Sequence, residues 1–181
     1  MFHWVSIQED PRSVDSLKKL YISAFPWAER APFFYVVRQS TTPMADLFAI
    51  CDDDAVVGMA NTVYDQDVVF LFYLAIAPER QGQGYGSLAL EETKRRFAGK
   101  RVILNIEEMA ETQPGYEQRL RRKQFYLKNG LEESHYKTRE RGIVYEMLHL
   151  GGDATYEEYA ALLRAYLGPV LYRAIRLKKA E

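Results

Sequence analysis

Cysteine is almost missing from this chain. Cys51 is the only one in 181 residues, so no disulfide can close within the chain. Metal-ligand spacing is missing too. His3, His135 and His149 stand far apart, and with one cysteine no structural zinc site is expected. No apolar run is long enough to span a membrane. No apolar leader precedes Glu9 and Asp10, so a cytoplasmic protein is expected. Neither sign of charge dominates: 24 Lys and Arg face 25 Asp and Glu, a formal net charge of -1. That balance gives no reason to expect nucleic acid or a membrane surface as partner. Repeats and low-complexity linkers are also lacking.

What is present is an ordinary globular composition, 48% hydrophobic and 27% charged. The length suits one domain with a real core. Phe2 to Ile7 reads as a first strand. Ser13 is placed to cap a helix whose apolar face is Val14, Leu17, Tyr21 and Ala24. Pro26 stops it, Trp27 to Arg30 reads as loop, and Pro32 suits the first turn of a short helix through Gln39. Ala45 to Cys51 and Ala55 to Tyr64 read as strands joined at Asp52-Asp53-Asp54.

Val68 to Ala77 is almost wholly apolar, rich in β-branched and aromatic residues, and predicts a strand covered on both faces. Pro78 ends it. Gly82, Gly84 and Gly86 follow at alternate positions, and a helix opens with Gly86, Leu90, Thr93 and Phe97 on one face. Glycines let a backbone come close to another object. A helix N-terminus offers unpaired N–H groups and roughly half a positive charge. Together they predict a cradle for phosphate.

Gly99 fits the end of that helix. Arg101 to Ile106 reads as another strand, Glu107 to Gly115 as a polar loop, and Tyr116 to Asn129 as a helix. Leu131 to Glu140 and Ile143 to Leu150 form a hairpin around Arg141-Gly142. After Gly151-Gly152, Thr155 and Glu158 make a capping box. Tyr156, Tyr159, Ala160, Leu163 and Tyr166 form the apolar face of a helix that Gly168-Pro169 ends. A last short helix through Leu177 and a basic tail at Arg176, Lys178 and Lys179 are expected. Residues 1–150 are thus one domain. Residues 151–181 are a helical extension packed on it or on a dimer partner.

The order of elements, the motif Gln81-Gly82-Gln83-Gly84-Tyr85-Gly86 and the later run Phe125-Tyr126-Leu127-Lys128-Asn129-Gly130-Leu131 resemble the GNAT superfamily of N-acetyltransferases. The second run departs from the family's pattern in its last residue, Leu instead of Phe. The resemblance covers about Phe2 to Leu150. It implies an α/β (α+β) fold: a mixed, mostly antiparallel central sheet whose parallel fourth and fifth strands splay apart, with flanking helices. It implies acetyl-CoA as cosubstrate, a primary amine as acceptor and direct attack in a ternary complex. Gln81, Gly82, Gln83, Gly84, Tyr85, Gly86 and Ser87 would cradle the pyrophosphate. Main-chain groups of Leu74, Ala75 and Ile76 would pair with pantetheine, with Asn105 nearby. Tyr126 would be the general acid.

The base is harder to place. Family members often carry a Glu in the fourth strand, and Val68 to Ala77 has none. Glu107 or Glu108 is the candidate instead. Glu29, Arg30 and Phe34 fall in the region that shapes the acceptor pocket in the family. Arg119, Arg121, Arg122 and Lys123 read as a wet helix face, with contact to CoA phosphates as the alternative. Two other functions are open. A non-catalytic acetyl-CoA sensor or scaffold would explain the missing strand Glu. A dinucleotide site fits Gly84-Tyr85-Gly86-Ser87-Leu88-Ala89 on paper, with Glu107 about twenty residues on. The arm Pro78 to Gln81 and the strands before it argue against that fingerprint.

Overall fold

A computed structural model describes residues 1–108 and 115–180. Most of the polar loop expected over Glu107 to Gly115 lies outside the described residues. The elements are β1 (Phe2–Ser6), α1 (Val14–Ala24), α2 (Phe33–Gln39), β2 (Ala45–Asp52), β3 (Ala55–Asp65), β4 (Val68–Ile76), α3 (Tyr85–Arg96), β5 (Arg101–Glu107), α4 (Tyr116–Lys128), β6 (Glu132–Glu140), β7 (Ile143–Leu150), α5 (Tyr156–Ile175) and β8 (Lys178–Ala180). The chain divides into two compact units. One is Met1–Tyr64 with Leu71–Arg96; the other is Asp65–Phe70 with Phe97–Glu181. β4 contributes its end to the first and its beginning to the second.

In the first unit β1 pairs antiparallel with β2, and β2 with β3. β4 is the next neighbour of β3. Leu47 to Ile50 of β2 are all buried, as expected of a strand covered on both sides. On one side Leu17, Leu20 and Tyr21 of α1 and Val36 of α2 form a cluster with Leu47, Ala49, Met59, Tyr73 and Ala75. Each large apolar side chain so buried contributes roughly 1.5–3 kcal/mol. Trp4 and Phe48 form another contact, their ring centroids 5.3 Å apart, and the Arg96 guanidinium lies over both.

In the second unit β4 runs parallel to β5 over three residue pairs, Val68↔Arg101 to Phe70↔Ile103. β5 then pairs antiparallel with β7, β7 with β6, and β6 with β8. Tyr159 of α5 meets Phe70 edge-on at 5.1 Å. Arg101 binds Asp67 and Glu158, which joins the start of β5 to the first turn of α5. The capping box is present: Glu158 N–H donates to the Thr155 hydroxyl, and Thr155 N–H to the Glu158 carboxylate.

The mixed, mostly antiparallel sheet with a parallel β4/β5 pair and flanking helices is the architecture predicted. Three local expectations need correction. Ser13 stands before α1 but does not cap it; its hydroxyl donates to Asp10 O at 2.8 Å. A 3₁₀ turn, Pro11–Ser13, leads into the helix, and Asp10 caps that turn through Arg12 N–H. Trp27–Glu29 is also a 3₁₀ turn. The C-terminal segment is not all helix. The helical run does break at Gly168 (φ 67, ψ 174) as expected, but Arg176 then turns left-handed and Lys178–Ala180 of the expected basic tail is a strand against Lys137 to Arg139. Hydrogen bonds to a sheet edge need no apolar pattern, so three basic and small residues gave no strand signal. No helix among the described residues is long and apolar enough to cross a membrane.

Candidate active site

The glycine turn lies in the first unit. β4 ends in Leu74, Ala75 and Ile76, a 3₁₀ turn covers Pro78–Arg80, and Gln81 to Gly84 turn the chain into α3. Gln81 folds the arm back by donating from Nε2 to Ile76 O at 3.0 Å, and Gln83 donates to Glu79 O at 2.9 Å. Gly82 and Gly84 have φ of +72 and +88, a region that non-glycine residues enter only with strain. A Cβ on either would meet nothing within 4 Å. The turn therefore presents bare backbone to open space. Leu88 N–H donates to Gly84 O; the N–H groups of Tyr85, Gly86 and Ser87 come before that first helical bond. The side chain of Tyr85 is directed elsewhere: its hydroxyl donates to Asp52 Oδ2 at 2.6 Å. That bond raises the Tyr85 pKa and lowers that of Asp52. A pyrophosphate would find backbone donors and glycines here, which fits the cosubstrate the sequence implied.

The same unit holds Glu29, Arg30 and Phe34. Pro26 and Pro32 bracket the loop between α1 and α2. Two tyrosines fix it. The Tyr73 hydroxyl accepts from Ala31 N–H at 2.9 Å and donates to Glu29 O at 3.1 Å; the Tyr21 hydroxyl donates to Ala31 O at 2.9 Å. Tyr21 and Tyr73 themselves meet edge-on at 4.9 Å. Phe34 and Trp27 remain exposed, 73% and 83% accessible, which is unusual for large aromatics. The Nε of Arg30 is buried with no hydrogen-bond partner among the described residues.

The second unit holds the other predicted residues. Asn105, midway along β5, donates from Nδ2 to the Tyr159 hydroxyl at 3.3 Å. That hydroxyl donates to Glu140 Oε1 at 2.7 Å, and Thr138 reaches the same oxygen at 3.3 Å. Burial pushes the Glu140 carboxyl above its usual range, and the hydrogen bonds only partly oppose it. Tyr126 stands near the end of α4, its ring 5.2 Å from Phe125. Burial raises its pKa too, so the phenol stays protonated at neutral pH. Glu107 and Glu108 are both in ion pairs, with Arg119 and with Lys137, each at 2.7 Å. Lys123 bridges Glu133 and Glu146. Half of the basic run expected as a wet helix face is thus engaged inside the unit.

The sequence model of the acetyltransferase (GNAT) family matches residues 14–130. The chain belongs to that family. Acetyl transfer from acetyl-CoA is the activity that membership carries, and this acetyltransferase is accordingly an acyltransferase enzyme. Solved structures share its fold. A putative GNAT acetyltransferase from Bacteroides thetaiotaomicron is 20% identical with a TM-score of 0.71, over 95% of this chain and 98% of its own. The aminoglycoside 6'-N-acetyltransferase from Enterococcus faecium is 14% identical with a TM-score of 0.64, over 83% and 96%. The ribosomal-protein-S18-alanine N-acetyltransferase from Escherichia coli is 17% identical with a TM-score of 0.58, over 86% and 97%. No curated protein sequence matches significantly. Two features of this acetyltransferase escaped the sequence reading: the tyrosine clamp on the α1–α2 loop and the Glu140–Tyr159–Asn105 chain. In each, a polar tip sits on a side chain that patterning counts as apolar core.

Proposed function

We propose that this acetyltransferase acetylates a primary amine of a small molecule or peptide by direct attack in a ternary complex. The open backbone at Gly82 and Gly84, ahead of the first-turn N–H groups of α3, carries this reading. Gln81 to Ser87 bind the pyrophosphate through main-chain donors. Leu74, Ala75 and Ile76 offer strand-like main-chain groups to pantetheine, and Asn105 is assigned to the same cofactor. When bound, acetyl-CoA supplies the activated acyl group. Tyr126 donates a proton to the departing sulfur; a phenol held above its ordinary pKa keeps that proton until negative charge develops.

An amine of pKa about 10.4 is neutral in only roughly one molecule in a few thousand at pH 7, so its proton needs an acceptor. Glu107 or Glu108 takes that role. Of the two, Glu108 and its partner Lys137 are the more accessible, 38% and 40% against 25% and 23% for Glu107 and Arg119, so the Glu108 pair opens more easily. Glu29, Arg30 and Phe34 receive the acceptor. A single domain over 1–150 with an extension over 151–181, a cytoplasmic location and an optional homodimer complete the reading. The lone Cys51 and the balanced charge support the location.

Thiol release from acetyl-CoA across a panel of amines tests the proposal, with acetyl-CoA affinity measured in parallel by calorimetry. Turnover of at least one amine class is expected. Binding without turnover of any amine or peptide would favour a sensor or scaffold instead.

A further inference from the structure

The loop between α1 and α2 holds a cation with no partner among the described residues. Arg30 is half-buried. Its Nε is closed to solvent, and its guanidinium makes no hydrogen bond or ion pair with any described residue. Other partly buried cations behave differently. Arg101 grips Asp67 and Glu158, Arg119 grips Glu107, and Lys123 grips Glu133 and Glu146. A buried donor without a partner costs stability that a ligand would offset.

Arg30 does not sit on a slack loop. The residues on either side of it, Glu29 and Ala31, are fixed by the three hydrogen bonds from Tyr21 and Tyr73. Tyr73 and Tyr21 belong to β4 and α1, so the anchor is secondary structure. The planar fork of a guanidinium matches a carboxylate in geometry and charge. Trp27 and Phe34, on the same stretch of chain, leave apolar faces open. A polyamine or an aminoglycoside brings further positive charge to this loop; an amino acid brings a carboxylate and often an apolar side chain.

We propose that Arg30 binds a carboxylate of the acceptor, so that the acceptor is an amino acid or short peptide with an apolar side chain. Tyr73 is a positioning residue that holds Arg30 in place. The inference rests on the amine acetylation proposed above. The acceptor nitrogen bonds the acetyl carbon, the carbon–sulfur bond breaks, the thiol leaves with a proton, and the amine's proton passes to the base or water. Arg30 touches only the carboxylate.

Matched acceptors test this: phenylalanine, phenylalaninamide and phenethylamine; glycyl-phenylalanine and its amide; spermidine, an aminoglycoside and phosphoethanolamine. The acids should exceed their amides in kcat/KM by about 10- to 100-fold, the loss expected for a charge-assisted hydrogen bond pair. Arg30→Gln should bring that ratio close to one while acetyl-CoA affinity holds, and Arg30→Lys should keep part of it. Tyr73→Phe should raise KM for the acid several-fold with kcat little changed. Equal rates for acid and amide in the wild type overturn the proposal without needing any variant. So does a best rate with spermidine or the aminoglycoside, or an equal loss for acid and amide in Arg30→Gln. A best rate with phosphoethanolamine reassigns Arg30 to phosphate and sinks the carboxylate. If acetyl-CoA binds and no amine turns over, the function proposed above fails, and this inference with it.

Discussion

Tyr159, fully buried in α5, donates a 2.7 Å hydrogen bond to Oε1 of Glu140, the last residue of β6. The pair is linked to Asn105 of β5 and Thr138 of β6, and Arg141, Tyr136 and Tyr145 contribute to its field. Burial raises the Glu140 pKa above its ordinary value. The folded state therefore holds this proton more tightly than the unfolded chain. The stability so gained is present below the unfolded pKa and is lost as pH rises through the folded one. Glu140→Gln keeps an oxygen for Tyr159 but cannot ionise. Relative to wild type, its Tm should improve as pH rises from 4 to 8. A gap in Tm that stays constant with pH would show that Glu140 does not titrate in this range.

Glu158 gives the opposite sign. Its bonds to Arg101 and Thr155 lower its pKa from 4.5 to about 2. That contribution is present above 4.5 and fades as pH falls toward 2. Its side chain is 38% accessible, so the ion pair itself is worth only about 0–1 kcal/mol. Gln keeps the capping box, because its amide oxygen can still accept from Thr155 N–H. Glu158→Gln should therefore lower stability at pH 7 by only about 0–1 kcal/mol, the worth of the ion pair. Denaturant titrations should show the deficit shrinking between pH 4.5 and 2.

The glycine turn was legible because left-handed backbone leaves a mark in sequence: Gly82 and Gly84 are where φ is positive and space is open. The α1, β2, β3 and α5 boundaries were legible through periodicity and the Thr155–Glu158 box. Ion pairing was not. Arg119 and Lys123 looked like their neighbours Arg121 and Arg122, yet they meet Glu107, Glu133 and Glu146 from other elements. Arg30 looked like any loop arginine. Whether a charge finds a partner depends on tertiary placement, which spacing within one element does not encode. Tyr73 was hidden for a related reason: its ring belongs to the apolar strand pattern, and only its hydroxyl clamps Glu29 and Ala31.

Gly84→Ala separates cradle from scaffold. A Cβ at φ +88 strains the backbone by about 1–2 kcal/mol. Gly99 offers a control, since it has φ +81 and equally open surroundings. Gly99→Ala should cost similar stability and leave acetyl-CoA affinity intact. Gly84→Ala should weaken that affinity at least about tenfold, since a methyl group would stand where backbone donors meet phosphate. Equal affinity for the two variants by calorimetry would remove Gly84 from the cradle.

Gly58 answers to a different constraint. A Cβ there would lie 2.7 Å from Ala75 O and 2.9 Å from the Ile76 side chain. Backbone cannot yield as a side-chain tip can. Gly58→Ala should therefore cost about 1–3 kcal/mol through overpacking. It should also weaken acetyl-CoA binding, because Ala75 and Ile76 are the proposed pantetheine edge. Loss of stability with full cofactor affinity would argue that pantetheine does not use that edge.

In the proposed mechanism Tyr126 is the acid and Glu108 or Glu107 the base, so variants of Tyr126 and Glu108 should fail differently. Tyr126→Phe removes a donor and leaves the ring beside Phe125. It should lower kcat by about 100-fold or more, the usual range for a lost general acid or base, with acetyl-CoA affinity changed less than about threefold. Glu108→Gln should instead change the alkaline-rising limb of the kcat/KM profile, where the free enzyme's base titrates. Lys137 complicates that reading, because it loses one of its two carboxylate partners in the same variant and keeps only Glu146. Lys137→Met supplies the missing comparison: it frees Glu108 without neutralising it. If Glu108 is the base, Glu108→Gln abolishes the limb, while Lys137→Met, which leaves the carboxylate in place, retains it. An unchanged limb in both variants passes the role to Glu107 or to water.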